Sequence, residues 1–266
     1  MTGFDELVRG KWAGRAQAYA ETFAGQCAHT VEPMLDALGV RPGTRLLDVG
    51  TGAGAIAVAA LTRGCDVVAV DPEPDMLALA AARAPGAAVL PGALPDLRLN
   101  QRFDAIAANF VLNQVAEPLA SVRCLAGLLA PDGRVAAAIW PAEPWPLQSL
   151  WGEVIDAAGA VRPPTAKLAP DQEFPRTPDG LAGLFDASGL VVERAWQHEF
   201  VHVVDPDVWW SGPARGVSSM GQLFQAQSPD TLLAMRAAYD WLARPYLGTD
   251  GLLHLPGAAV LVLAGH

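Results

Sequence analysis

Lysine, cysteine and long apolar runs are scarce in this 266-residue chain, and each scarcity excludes a class of function. Only Lys11 and Lys167 are lysines and the formal net charge is −10, which argues against nucleic acid or an anionic membrane as a partner, since both need a positive face. No run approaches the roughly twenty apolar residues that a membrane span needs. Cys27, Cys65 and Cys124 are odd in number and widely spaced, so we expect reduced thiols and no metal site.

The length and the start of the chain bound its organisation and its compartment. A chain of 266 residues fits one domain with a sizeable elaboration better than two equal domains. Residues 1–12 have no basic stretch followed by an apolar one, the pattern typical of a secretion signal. We therefore expect a cytoplasmic protein.

Residues 46–60 contain the most informative pattern. An apolar run ends at Asp48, glycines follow at 50, 52 and 54, and a helix-forming stretch of small residues begins at once. This order predicts a strand, a tight turn and a helix. Because glycine has no Cβ atom, a ligand can lie almost against the main chain of such a turn. The pattern therefore predicts a cofactor cradle.

Two acids bear on which cofactor the cradle holds. Gly50, Gly52 and Ala55 also satisfy the dinucleotide pattern G-x-G-x-x-G/A, a weak signal by itself. Asp48 places negative charge near the turn, which suits a cationic ligand better than a diphosphate. A second strand, 65–71, ends at Asp71, whose carboxylate can accept hydrogen bonds from ribose hydroxyls. NAD sites share that acid, so an NAD-dependent oxidoreductase stays open at this point.

The sequence between residues 40 and 140 resembles the class I S-adenosylmethionine-dependent methyltransferases. The pattern D-x-G-x-G-x-G at 48–54 resembles their first motif, and residues 68–77, 102–110 and 128–135 resemble three later motifs in the same order. The resemblance implies S-adenosyl-L-methionine as cofactor. It also implies an α/β, Rossmann-like fold: a mostly parallel seven-stranded sheet with an antiparallel final strand, plus helical lid elements.

The resemblance also implies roles for single residues, carried over by position. The amino-acid part of the cofactor would lie on the turn with Asp48 near its ammonium group, Asp71 would hold the ribose, and a lid tyrosine would close over the carboxylate. The implied cofactor residues are Tyr19, Asp48, Gly50, Thr51, Gly52, Gly54, Asp71, Pro72, Met76, Gly92, Ala93, Leu94, Asn109 and Phe110. Residues 91–94 depart from the family pattern, because relatives commonly carry an aspartate there that accepts the adenine amino group.

The rest of the chain predicts lids around this core. We expect an N-terminal helical lid over 1–40, in which a helical stretch over 4–38 ends at Gly39, and the cofactor-binding core over 41–140. The remainder of the sheet is expected over 141–266, where Thr177-Pro178 is a helix-start signal and the last strand lies near 258–263. A helical substrate lid is expected at about 205–250, where Asp205-Pro206 and Ser228-Pro229 are helix-start signals. Its aromatic residues favour a flat or apolar small molecule as ligand.

Candidate substrate residues are the rings in and before this lid and one histidine of the strand that precedes it: Trp140, Trp209, Trp210 and His202. Trp209 and Trp210 are adjacent on a predicted helix, and we expect that both cannot face one core. That expectation favours a ligand as the neighbour of one of them.

Methyl transfer depends mainly on alignment of the nucleophile with the methyl group. A general base is needed only when the attacking atom is a poorly ionised hydroxyl. His29 in the N-terminal lid and Asn113 after the fourth strand are the catalytic candidates. Asn113 stands where many relatives carry a histidine, so the usual base is missing there.

These observations predict methyl transfer from S-adenosyl-L-methionine to a small, aromatic or polyketide-like molecule of secondary metabolism. Two alternatives keep the same cofactor: a non-methylating step such as cyclisation, and a non-catalytic binding subunit. The expected partner is a small-molecule substrate, with no nucleic acid, no membrane and no metal, and a homodimer is left open.

Overall fold

Four short helices precede the sheet in the computed structural model, which describes residues 3–165 and 167–266. They are α1 (Gly3–Arg9), α2 (Ala16–Thr22), α3 (Ala24–Cys27) and α4 (Val31–Leu38), with a 3-10 turn at Ala28–Thr30. The predicted helical stretch over 4–38 is therefore broken, first at residues 10–15, where Gly14 adopts a φ of +72°. Gly39, at φ +65°, ends α4 at the predicted place.

The sheet has seven strands and one reversal of direction. In chain order they are β1 (Arg45–Val49), β2 (Asp66–Asp71), β3 (Ala88–Pro91), β4 (Phe103–Asn109), β5 (Leu129–Ile139), β6 (Val191–Val204) and β7 (Leu253–Gly265). Their spatial order is β3-β2-β1-β4-β5-β7-β6. The first five pair in parallel, and β7 runs antiparallel to both β5 and β6. The predicted Rossmann-like sheet with an antiparallel final strand is confirmed.

Three helices connect the parallel strands: α5 (Ala55–Thr62), α6 (Pro74–Arg83) and α7 (Pro118–Leu128). The order of the strands reverses between β1 and β4, which are neighbours in the sheet. In open parallel sheets, ligands bind outside the carboxyl ends of the strands at such a point. The topology therefore directs attention to the residues that follow β1, β2 and β4.

The second half of the chain adds α8 (Pro146–Ala157), α9 (Pro178–Asp186), α10 (Pro206–Ala214), α11 (Ser218–Gln225) and α12 (Pro229–Leu242). Three of them begin where the sequence predicted, because Thr177, Asp205 and Ser228 each accept hydrogen bonds from backbone N–H groups of the first turn. Helix α11 was not predicted. Strand β7 begins at Leu253, five residues before the expected start at 258.

Apolar side chains form three clusters around this framework. One lies between the sheet and helices α7 and α9, and another lies between the opposite face of the sheet and helices α4 and α5. A third joins α8 to α10, α11 and α12 around Trp151 and Tyr239. No helix within residues 3–165 and 167–266 is both long and apolar enough to traverse a bilayer.

Candidate functional site

The turn after β1 requires glycine for steric reasons. Gly50, Gly52 and Gly54 all have positive φ values, of +66°, +51° and +82°. A Cβ atom on Gly50 would lie 2.5 Å from Cγ2 of Val111, and one on Gly54 would lie 3.3 Å from Cα of Ala80 in α6. Other residues would therefore add both backbone strain and clashes. This local geometry is the reason for the glycine pattern in the sequence.

Asp48 lies beneath the turn and holds it in place. Its side-chain Oδ2 accepts hydrogen bonds from Oγ1 of Thr51 at 2.6 Å and from the backbone N–H of Ala57 at 3.1 Å. The residue is 1% exposed, and this burial raises the pKa of its carboxyl group to about 7. A cation placed beside Asp48 would favour the ionised form and lower that pKa again.

Asp71 ends β2 on the other side of the turn. Its Oδ2 accepts from the backbone N–H of Gly52 and its Oδ1 from that of Glu73, both at 2.9 Å. Asp71 is 7% exposed, and burial raises the pKa of its carboxyl group to about 6. Because a carboxylate oxygen can accept more than one hydrogen bond, both oxygens keep the capacity to accept from a ligand hydroxyl.

Helices α1 and α2 are fastened over this turn. The guanidinium of Arg9 forms an ion pair with Glu73, with Nε and Oε1 2.7 Å apart, and the backbone N–H of Ala16 donates to Oδ2 of Asp75 at 3.0 Å. We call these two contacts the latch. The ring of Tyr19 lies over Gly52, since a Cβ atom there would be 3.3 Å from Cε1 of Tyr19.

A small cavity of about 20 Å³, which we call the glycine crevice, lies at this turn. It is lined by Tyr19, Ala24, Cys27, Asp48, Gly50, Thr51, Ala53, Ala55, Ile56 and Asn109. Five of the predicted cofactor residues thus share one cavity. Asn109 is held in it because its side chain accepts from Oγ1 of Thr30 at 2.7 Å and donates to the carbonyl oxygen of Cys27 at 3.1 Å.

The other predicted cofactor residues lie around the crevice rather than in its wall. Pro72 follows Asp71, and Met76 is buried in α6. The segment with Gly92, Ala93 and Leu94 follows β3, and the N–H of Gly92 donates to the carbonyl oxygen of Asp71 at 3.2 Å. Phe110, at φ +58°, stacks on Trp140 with the ring centroids 4.0 Å apart.

A larger cavity of about 280 Å³, which we call the aromatic cavity, lies between α2, α8, α10 and α11. Its wall contains Trp12, Thr22, Phe23, Gln26, Gln114, Trp140, Leu147, Gln148, Trp151, Trp209, Gly212, Pro213, Val217, Ser218, Ser219 and Met220. Two of the predicted substrate residues, Trp140 and Trp209, belong to it. None of these described wall residues has a titratable or charged side chain.

Trp210 is not in that wall. Its ring lies 6.0 Å from that of Trp151 and 5.2 Å from that of Tyr239, and the ring of Trp209 is also 6.0 Å from Trp151. The expectation that these adjacent tryptophans cannot both face one core was therefore wrong. Helix α10 packs into a cluster that surrounds it from α8, α11 and α12, so both rings find neighbours.

The candidate histidines, His29 and His202, contact each other and line neither of the two cavities. Nε2 of His29 lies 3.2 Å from Nδ1 of His202, and the ring of His29 stacks on Phe200 with centroids 4.4 Å apart. Burial, with a smaller effect of His29, lowers the pKa of His202 to about 4, and burial followed by His198 lowers that of His29. Both rings are therefore uncharged at neutral pH.

Asn113 also lies outside both walls, and its buried Oδ1 has no hydrogen-bond partner. Its neighbour Gln114 lines the aromatic cavity instead, as do Gln26 and Gln148. Sequence reasoning missed Gln26 and Gln148, because the face that α3 and α8 turn toward the cavity is set by packing between distant elements. Within the described ranges 3–165 and 167–266, no group of three or more His, Cys, Asp or Glu side chains is arranged to hold a metal ion.

Comparison with known proteins identifies the core. Residues 47–137 match the family model of the methyltransferase domain. Residues 47–137 are a class I S-adenosylmethionine-dependent methyltransferase domain. The cofactor of this domain is S-adenosyl-L-methionine, which sets aside the NAD-dependent alternative. The positive-φ turn and the two buried carboxylates fit a ligand that carries an ammonium group and a ribose.

Two curated relatives match part of the chain. The chain is 34% identical over 120 residues to a demethylmenaquinone methyltransferase of Beutenbergia cavernae, a match that covers 44% of this chain and 50% of that protein. It is 34% identical over 115 residues to a ubiquinone biosynthesis O-methyltransferase of Xanthomonas campestris pv. campestris, covering 40% and 48%. The chain therefore spans about half the length of the curated relatives it matches.

A solved structure extends the likeness to most of the fold. A putative methyltransferase from an antibiotic biosynthesis pathway of Anabaena variabilis aligns with a TM-score of 0.60 at 17% identity, covering 89% of this chain and 96% of that one. At this identity the likeness concerns the fold alone. The seven-stranded architecture around the methyltransferase domain is thus shared with a known structure.

Proposed function

We propose that the protein transfers the methyl group of S-adenosyl-L-methionine to a small, flat acceptor, aromatic or polyketide-like, that binds in the aromatic cavity. The observation that supports this most is the position of the two cavities on either side of one segment. Phe23 and Gln26 line the aromatic cavity, whereas Ala24 and Cys27 line the glycine crevice. Both cavities therefore border the segment 23–27, so ligands in them would lie beside the same turn of chain.

The residues of the crevice have assigned roles in this proposal. The turn with Gly50, Thr51, Gly52 and Gly54 would hold the amino-acid part of the cofactor, and Asp48 its ammonium group. Asp71 would bind the ribose, Tyr19 would close the crevice, and the adenine would lie near Pro72, Met76 and the segment 92–94. Residues 1–40 and about 205–250 would act as the lids of the cofactor and the substrate.

The chemistry needs little from the aromatic cavity beyond position. S-adenosyl-L-methionine supplies a methyl group on a positively charged sulfur, which is a good leaving group. The apolar rings exclude water and hold the acceptor in line, a contribution that can account for much of a rate enhancement. The described wall has no titratable side chain, so a base, where the acceptor needs one, would have to come from outside this wall. The catalytic roles of His29 and Asn113 stay predictions.

Binding of the cofactor tests the first half of the proposal. Calorimetry should detect S-adenosyl-L-methionine and S-adenosyl-L-homocysteine but not NAD. Asp71→Ala should weaken S-adenosyl-L-methionine binding by about 1.5 to 3 kcal/mol, the usual loss for a hydrogen-bonding partner that is charged. Asp66→Ala, which removes an exposed acid from the start of the same strand, is the control. Unchanged affinity of the Asp71 variant, or binding of NAD alone, would contradict the assignment.

Transfer of a labelled methyl group to small-molecule extracts tests the second half. We expect label in a small aromatic product and none in protein or nucleic acid. A product whose mass does not rise by a methyl group, formed while the cofactor still binds, would favour the cyclase alternative. Cofactor binding without any product would favour the non-catalytic subunit.

A further inference from the structure

The aromatic cavity has polar groups in its wall that lack partners. Both amide atoms of Gln148, Nε2 and Oε1, are buried with no hydrogen bond, and so are Oε1 of Gln114 and Nε1 of Trp209. These residues come from α8, from the 3-10 turn after β4 and from α10, and all three line the cavity. Three elements that line the cavity thus carry enclosed donors and acceptors that have no partner.

Buried polar groups without a hydrogen bond lower the stability of the protein unless a ligand pairs with them. A buried donor or acceptor without a partner has lost its hydrogen bonds to water without replacing them, which destabilises the folded protein. Most buried polar groups in proteins are paired, so unpaired ones in a cavity wall call for a physical reason. Gln148 lines the cavity, but its amide atoms are enclosed, so rotation of the side chain toward the cavity would be needed to bring them into contact with a ligand there.

The volume and charge of the cavity limit that ligand further. An engineered apolar cavity of about 150 Å³ binds benzene, so about 280 Å³ accommodates a molecule of roughly two fused rings. A charged ligand would lose its hydration without gaining an opposite charge, because the described wall carries none. The ligand is therefore neutral.

We propose that Gln148 is a specificity-determining residue that selects a neutral, two-ring acceptor presenting a hydrogen-bond donor beside an acceptor. A carboxamide, a lactam, or a hydroxyl next to a carbonyl has this arrangement, which matches the side-by-side donor and acceptor of a primary amide. Gln114 and the indole N–H of Trp209 are further unpaired groups among the residues of this wall, which also contains Thr22, Gln26, Ser218 and Ser219. This inference rests on the proposed function, because it defines the acceptor of the same cavity.

Three probes of equal ring size test the proposal in the full-length protein without cofactor. Calorimetry with 2-naphthamide, 2-naphthoate and naphthalene should show 2-naphthamide binding at least about tenfold more tightly than the other two, the factor that one hydrogen bond of typical strength provides. Equal or tighter binding of 2-naphthoate would overturn the proposal. So would the failure of all three to bind.

Gln148→Leu keeps the size of the side chain and removes its amide. The variant should bind 2-naphthamide about tenfold more weakly, bind naphthalene at least as tightly as before, and unfold at a higher temperature because a buried unpaired amide is gone. Gln197→Leu, at an exposed position of β6, is the matched control. Equal losses for 2-naphthamide and naphthalene would show a packing effect and contradict the proposal. The experiment uses no S-adenosyl-L-methionine, so its outcome is separate from that of the methyl-transfer assay.

Discussion

Asp48 holds the glycine turn through one oxygen only. Oδ2 accepts both the Thr51 hydroxyl and the Ala57 N–H, so an asparagine could keep both hydrogen bonds with its own Oδ1. What an asparagine cannot supply is the negative charge. Replacing Asp48 by asparagine therefore separates two effects of the carboxylate: the stability lost by burying its charge, and its contribution to binding of the cofactor.

The sign of that cost follows from the direction of the pKa shift. The pKa of Asp48 is about 7 in the folded protein and about 3.9 in an unfolded chain, so between these values the folded state holds a proton that the unfolded state releases. The stability that this group contributes is full below about pH 4 and is lost as the pH rises to about 7.

We predict that Asp48→Asn is more stable than the wild type at pH 8, by at most about 4 kcal/mol, and that the difference shrinks toward pH 4. Urea unfolding at several pH values measures it, with Asp66→Asn as the control for loss of an exposed charge. The same variant should bind S-adenosyl-L-methionine more weakly. A variant that is no more stable than the wild type at pH 8 would contradict the prediction.

The part of the site that the sequence predicts is the part whose contacts are formed between residues close together in the chain. The glycine turn and its two carboxylates could be predicted, because the backbone angles and short hydrogen bonds that need them lie within about 25 residues of chain. Gln148 and the contact between His29 and His202 could not. Their neighbours come from distant parts of the chain, and no local rule fixes which face of a helix turns toward a cavity.

At the scale of elements, the latch joins the N-terminal helices to the start of α6. Glu73 and Asp75 follow Asp71 within four residues, so the segment proposed to hold the ribose also holds the lid. Tyr19 lies in α2, whose first N–H donates to Asp75. We therefore expect that release of a ligand from the glycine crevice requires these contacts to loosen.

We predict that Asp75→Ala accelerates dissociation of S-adenosyl-L-methionine by roughly 10- to 150-fold, because movement of α2 away from the turn no longer breaks a hydrogen bond to a charged group worth about 1.5 to 3 kcal/mol. Stopped-flow displacement measures the rate. Asp230→Ala is the matched control, since Asp230 also follows a proline at the start of a helix, α12, and fastens no lid. A rate that stays at the wild-type value would refute the latch.

Helix boundaries show the same division between local and distant causes. The starts of α9, α10 and α12 were predicted correctly, because a capping side chain and a proline in the first turn act within three residues. Helix α11 has no side-chain cap, and the residues before it, Gly216 and Val217, are not a helix-start signal. It forms against α10 and the cluster around Trp151, which the sequence pattern does not reveal.

At the scale of the whole molecule, His29 and His202 join three parts of the chain. His29 belongs to the 3-10 turn before α4, His202 to β6, and the ring of His202 lies 5.5 Å from that of Trp209 in α10. His198 adds a contact from its Nε2 to the carbonyl oxygen of His29 at 3.2 Å. His202 is 5% exposed, and its Nε2 is buried without a partner. Protonation of His202 would place a charge where the three parts meet.

The pKa shift of His202 has the opposite sign to that of Asp48. The folded value of about 4 lies below the ordinary value of about 6.5, so at intermediate pH the unfolded chain binds a proton that the folded protein does not. The stability that the neutral ring contributes is full above about pH 6.5 and is lost as the pH falls toward 4. Asp48 and Asp71 shift stability the other way in this range, so only a comparison with a variant isolates the histidine.

We predict that the stability of the wild type relative to His202→Asn falls by about 1.6 kcal/mol between pH 6.5 and pH 5. This is less than the full slope of about 1.4 kcal/mol per pH unit, because half of the unfolded rings are already protonated at pH 6.5. Urea unfolding at both pH values measures the change. Val203→Asn, at the exposed neighbour on the same strand, should shift stability equally at both pH values. If the difference between the wild type and His202→Asn stays constant with pH, the ring is not held neutral by burial, and the junction of lid, sheet and α10 does not depend on its charge.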